Sequence, residues 1–196
     1  MEYREDVATV LHYLSGEAGV RLMAGWRPGD GDVRPWLLSS SPASAELAAR
    51  WGLPIAVAHH IRPDETVAAV ARYRELFTPS RWADQPYVMV SVQTIVADTQ
   101  REVERLVRPT DIARSQRFSS ALLPPEQAAG YEIPEQVRSV VTAAGAVQAH
   151  GTIDTVRQRF AEIVQQTGAD ELMLFVPVYD VDARIRSYEL AAKAAE

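Results

Sequence analysis

Apolar and polar positions along this chain follow two alternating periods. Val7, Val10, Leu11 and Leu14 lie at i, i+3, i+4 and i+7, which predicts a short amphipathic helix stopping at Gly16. Gly25, Pro28, Gly29 and Gly31 then mark a loop. Trp36-Leu37-Leu38 is a short apolar run of the kind a buried strand shows. Ser41 before Pro42 fits an N-cap followed by proline at the first helical position, where the missing N–H costs nothing. The helix it opens runs through Glu46, Leu47, Ala48 and Ala49 to Gly52. Residues 54–59 predict a second strand. Pro63-Asp64 opens a helix with Val67, Val70, Ala71 and Phe77 inward and Pro79 beyond its end.

Residues 87–97 predict a long strand with Val88, Val90, Val92, Thr94 and Val96 on one face. Asp98 is placed to cap a charged helix ending near Pro109. Residues 108–134 lack a period and contain Pro124-Pro125, which predicts a long loop or insertion within one domain spanning 1–196. A helix is expected over 135–144. Thr152 then caps another, with Val156, Phe160, Ile163 and Val164 on one stripe and a stop at Gly168. The last strand falls at 171–176 and the last helix at 182–194. Four strands separated by helices form the pattern of parallel βα units, an α/β fold.

Composition narrows the function. Lys plus Arg total 20 against 26 Asp plus Glu, a net charge of −6, with no basic cluster. That balance argues against nucleic acid or an anionic membrane as main partner. There are no cysteines, so disulfides, thiolate metal sites and cysteine nucleophiles are excluded. The N-terminal residues are charged and lack an apolar signal core, and no apolar run approaches a bilayer span. A cytoplasmic protein is the expectation.

The most informative local feature is Ser39-Ser40-Ser41-Pro42-Ala43-Ser44. A strand ending in hydroxyl residues and turning into a helix N-terminus offers free N–H groups, hydroxyl donors and partial positive charge to a phosphate. The alternative is a serine-capped helix and nothing more. His59 and His60 are adjacent on a strand and point to opposite faces, so they do not readily share a metal; one of them falls at the strand's C-terminal end, where barrel active sites collect. His12 and His150 carry no site signal. Tyr73 and Phe77 at i, i+4 read as helix packing, and Arg184 and Arg186 as solvated residues of a terminal helix. No dinucleotide, Walker, nucleophile-elbow or zinc-helix motif occurs.

Three stretches together resemble the luciferase-like flavin-dependent monooxygenases. Pro35 to Ser41, Ser44 to Ala49 and Gly52-Leu53-Pro54 are similar to the fifth strand, phosphate turn and following helix of that barrel. Ala56 to His60, Tyr73-Arg74, Pro86 to Val90 and Val96 to Thr99 form the second stretch. Gly151 to Val156, Thr167 to Met173 and Arg184 to Glu189 form the third.

The resemblance implies a (β/α)8 barrel, of which this chain carries the C-terminal half. It implies FMN as cofactor, held at its phosphate by Ser40, Ser41 and Ser44. Ser39 stands where many relatives have glycine. The resemblance implies, too, reduced flavin supplied by a separate flavin reductase and reacting with oxygen and a small organic substrate. The family's phosphate-binding arginine and ring-facing strands belong to the first half of the barrel. No catalytic residue and no metal ligand is therefore assigned in this sequence. The rival reading is a non-catalytic flavin-binding or interaction module of the same fold. A full barrel takes about 250 residues, and half of one leaves open strand edges and a bare inner face. Three arrangements meet that problem: a homodimer, a partner carrying the other half barrel, or membership of a longer product.

Overall fold

Val88, Val90 and Val92 are fully buried, and the strand they belong to, β3 (Val88–Val96), is the spine of the sheet. The computed structural model describes residues 3–15, 34–119 and 121–196. Helix α1 (Tyr3–Leu14) comes first and buries none of its residues fully, although Val7 and Leu11 lean on the core. Its predicted stop at Gly16 and the loop glycines 25, 29 and 31 lie outside the described residues.

The elements then alternate. Strand β1 (Leu37–Ser39), helix α2 (Pro42–Arg50), strand β2 (Ile55–Val57) and, after a 3-10 turn at Pro63–Glu65, helix α3 (Thr66–Leu76) precede β3. Helices α4 (Gln100–Ser115), α5 (Pro125–Ala129) and α6 (Glu135–Ala146) follow it. Strand β4 (Ala149–Gly151), helix α7 (Ile153–Thr167), strand β5 (Glu171–Phe175) and helix α8 (Val181–Ala195) complete the order.

All pairings are parallel. The main sheet runs β1-β2-β3-β5, with Leu38 beside Ala56, Ala56 beside Met89, and Met89 beside Glu171. This is an α/β sheet of parallel βα units that does not close on itself among the described residues, with β1 and β5 at its edges. The fifth strand, β4, was not anticipated. It is three residues long and pairs only with the far end of β3, Thr94 to Val96.

Strand alternation separates the two faces. Leu37, Ile55, Val57, Val88, Val90 and Val92 point outward into the helix layer and are buried with Ala48, Ala69, Tyr73, Phe160 and Leu190. The opposite, inner face carries Leu38, 64% exposed, and Met173 and Phe175, each about half exposed.

Several boundaries differ from those the sequence suggests. Helix α4 continues through Pro109 to Ser115, because Val103, Leu106, Ile112 and Ala113 form one buried stripe on both sides of it. A proline inside a helix costs about 3 kcal/mol, and here the burial of that stripe outweighs it. Thr99, rather than Asp98, caps α4, its hydroxyl accepting from the Glu102 N–H, while Asp98 is held by Arg186. On α3 the inward residues are Thr66, Ala69, Val70 and Tyr73, whereas Val67 and Ala71 face solvent. The predicted stripe was a fraction of a turn out of phase. The stops at Gly52 and Gly168 hold, both with φ near +61°. A Cβ on Gly52 would lie 2.4 Å from the Thr78 carbonyl oxygen, so only glycine fits there.

Candidate functional site

In a parallel sheet all C-terminal ends lie on one rim, and two features meet that rim here. The first is the serine turn. Ser39, the last residue of β1, is 1% exposed and faces the helix layer. Its Oγ donates to the Ser41 carbonyl at 3.0 Å and lies 2.8 Å from Ser44 Oγ. Ser41 caps α2, its Oγ 3.5 Å from the Ser44 N–H and 3.1 Å from Ser44 Oγ. Ser44 Oγ is the hub, adding a bond to the Ser41 carbonyl at 3.1 Å. Ser40, Ser41 and Ser44 remain half-buried rather than sealed. The first turn of α2 holds no acidic residue to oppose an anion.

The second feature is a chamber of about 540 Å³ at the ends of β2, β3 and β5, roofed by α4 and the residues after it. Phe175, Phe118, Leu122, Ala113 and Pro177 give it a largely apolar wall. Phe118 follows Arg117, and both have φ near +55°, a left-handed pair that turns the chain sharply at the end of α4.

His59 and His60 part company at this rim. His59 is buried, bonded through Nδ1 to Thr66 Oγ1 at 3.0 Å and through Nε2 to the Val147 carbonyl at 3.3 Å. It ties β2 to the segment before β4. His60 lines the chamber, 5.6 Å from the Phe175 ring. The Ser91 hydroxyl donates to the Val57 carbonyl, so it accepts from His60 Nδ1 at 2.7 Å. The lone pair of His60 then sits on Nε2. Burial lowers the pKa of both histidines, keeping the neutral form.

Behind the chamber runs a partly buried polar chain. Arg114 Nη1 donates to Asp111 Oδ1 at 2.9 Å and Nη2 to Gln93 Oε1 at 3.0 Å. That bond fixes the Gln93 amide, so its Nε2 donates to His150 Nε2 at 3.2 Å. The backbone N–H of Gln93 donates to Gln148 Oε1. Burial pushes His150 down to about 4, reinforced by the positive charge of Arg114. It also lowers Arg114 and raises Asp111, whose carboxylate is held by Arg114 and feels the positive charge of Arg108.

Of the residues singled out from sequence, Ser41 and Ser44 are brought together at the turn, with Ser40 next to them. Arg186 forms a bidentate pair with Asp98 and a weaker one with Glu189, so it is engaged rather than simply solvated. Tyr73 and Phe77 make an edge-to-face pair at 5.5 Å. Arg114, Gln93 and His150 were missed. Single arginines and glutamines carry no local signal, and only the fold brings 93, 114 and 150 together. Among the described residues no cluster of His, Asp and Glu is arranged for a metal, and no helix is long and apolar enough to cross a membrane.

An open sheet of parallel βα units with its candidate sites on the C-terminal rim defines a member of the barrel enzymes' architecture. The family is narrower than that. A model for the luciferase-like monooxygenases matches residues 13–171, and the chain belongs to that family. It is 34% identical over 205 residues to the uncharacterized protein YvbT of Bacillus subtilis, covering 97% of this chain and 58% of that one. It is 36% identical over 174 residues to a luciferase-like monooxygenase of Escherichia coli K12, covering 86% of this chain and 52% of that one. The crystal structure of apo-MsnO8 superposes with a TM-score of 0.83 at 29% identity, over 99% of this chain and 60% of that one. The coenzyme F420-dependent tetrahydromethanopterin reductase of Methanopyrus kandleri, 14% identical with a TM-score of 0.59, shares the fold over 98% of this chain and 61% of that one. The chain thus spans little more than half the length of these relatives.

Proposed function

We propose that this chain forms the phosphate-side and substrate-side walls of an FMN-dependent, luciferase-like monooxygenase site. The observation that carries the reading is the serine turn on the same rim as an apolar chamber. The residues present fit a phosphate: the Ser41 and Ser44 hydroxyls meet at a helix N-terminus with no acidic residue in its first turn, and Ser40 adjoins them in the chain. Each hydroxyl keeps acceptor capacity and can redirect its proton toward an anion. Ser40, Ser41 and Ser44 would hold the FMN phosphate. Bound flavin, reduced by a separate reductase, supplies the oxygen chemistry. The chain's own part is to seat the phosphate, give the substrate an apolar wall and exclude water.

The second reading, a non-catalytic flavin-binding or interaction module, is favoured by the bare inner face around Leu38, Met173 and Phe175. On either reading that face needs a cover, supplied by a second copy or by a partner bearing the remaining strands. FMN fluorescence titration of the 196-residue chain tests the assignment. Weak binding through the phosphate, in the micromolar range or above, is expected. Sub-micromolar binding would overturn the view that the isoalloxazine contacts lie elsewhere.

A further inference from the structure

Among the described residues the chamber wall includes one side chain that is charged at neutral pH, and that charge is positive. No described Asp or Glu lines it, and His60 is neutral. Arg114 is 11% exposed, so its charge is largely stripped of water. A guanidinium carries five N–H donors in a fixed fork. Two are committed, one to Asp111 and one to Gln93, which together fix the plane of the group. Among the described residues no protein acceptor takes the others. The half-buried carboxylate of Asp111 also feels the positive charge of Arg108, so Arg114 is not the only cation that offsets it. The rest of the wall is apolar, with Phe175, Phe118 and Leu122 presenting carbon to the cavity.

We propose that the chamber binds a small apolar molecule bearing one carboxylate, with the carboxylate on the free N–H groups of Arg114 and the apolar body against Phe175 and Leu122. A carboxylate suits this wall better than a neutral oxygen because it brings opposite charge to a largely desolvated guanidinium and two acceptors that match its fork. As the identity of the oxidised molecule, this rests on the monooxygenase reading. The binding itself requires no flavin, so the two fail separately.

The test uses octanoate and 1-octanol, which share an apolar chain and differ in charge, titrated calorimetrically into the full 196-residue chain without flavin. Octanoate is expected to bind about tenfold or more tighter than octanol. Arg114→Lys keeps the charge and loses the fork; the preference should shrink by the bidentate share while octanol affinity holds. Ala144→Leu, on the chamber rim, should weaken both ligands alike. Equal affinity for the two ligands in the unaltered chain overturns the proposal, whether or not the Arg114 variant folds. So does the absence of octanoate binding, or an Arg114→Lys chain, folded by circular dichroism, with its preference intact. FMN titration of the same samples reports the flavin reading independently.

Discussion

Replacing Ser41 separates the two roles proposed for it, and the structure sets the size of each. Ser41→Ala removes the cap to the Ser44 N–H and the contact with Ser44 Oγ. N-caps contribute about 0.5–2 kcal/mol. This one is long at 3.5 Å, which puts it in the lower half of that range, about 0.5–1 kcal/mol. No hydroxyl is orphaned, because Ser44 Oγ keeps Ser39 Oγ at 2.8 Å and the Ser41 carbonyl at 3.1 Å. For a chain of this size the melting temperature should fall by roughly 1–4 °C. Ser41→Gly is a tolerable cap without a hydroxyl and should melt within a degree or so of the unaltered chain. FMN affinity should fall about tenfold or more in both variants, the worth of one hydrogen bond to an anion. Thermal melts by circular dichroism and flavin titrations on the same samples give both numbers. A Ser41→Gly chain with unaltered FMN affinity would refute the phosphate role, and a stability loss above about 2 kcal/mol in Ser41→Ala would make the serine cluster a structural knot.

Three further outcomes follow from the geometry. His150 accepts from a Gln93 amide that Arg114 holds in place, so a protonated ring would face a donor. Its folded pKa of about 4 lies below the ordinary histidine value of 6.5, so stability is complete above about pH 6.5 and declines as pH falls toward 4. The decline, about 1–3 kcal/mol, should shrink in His150→Gln on urea melts across that window; an unchanged slope would contradict it. Tyr73 is fully buried, donating to the Leu53 carbonyl at 2.9 Å and accepting from the Tyr87 N–H at 3.2 Å. Tyr73→Phe strands both backbone groups and should cost about 2–4 kcal/mol in a urea melt, with a cost under about 1 kcal/mol counting against it. The bare inner face predicts association, and native mass spectrometry at micromolar concentration should find dimers or larger; a single compact monomer would refute that.

Much of this architecture was legible along the chain because local and global preferences agree. Val88, Val90 and Val92 alternate onto a buried face, Ser41-Pro42 opens a helix, and Gly52 and Gly168 end helices where a left-handed residue is needed. The failures share a cause, namely tertiary contacts overriding local signals. Pro109 stays helical because its flanking stripe is buried. Ala149 to Gly151 has no apolar run of its own and becomes a strand only by pairing with Thr94 to Val96. At the rim, the serine turn was visible because capping and phosphate chemistry share one short motif. The Asp111, Arg114, Gln93 and His150 chain was invisible, since its members are separated in sequence and none is distinctive alone. His59 and His60 were read as strand residues, but β2 ends at Val57 and both lie in the turn after it, where only His60 lines the chamber.

The central claim is that this chain grips a flavin by its phosphate. FMN and riboflavin differ in that group alone, so their dissociation constants on the 196-residue chain, measured by flavin fluorescence under identical salt, test it directly. The account predicts that FMN binds at least about tenfold tighter, and that a Ser41→Gly, Ser44→Ala chain narrows the gap. Equal affinity for the two flavins in the unaltered chain would contradict it.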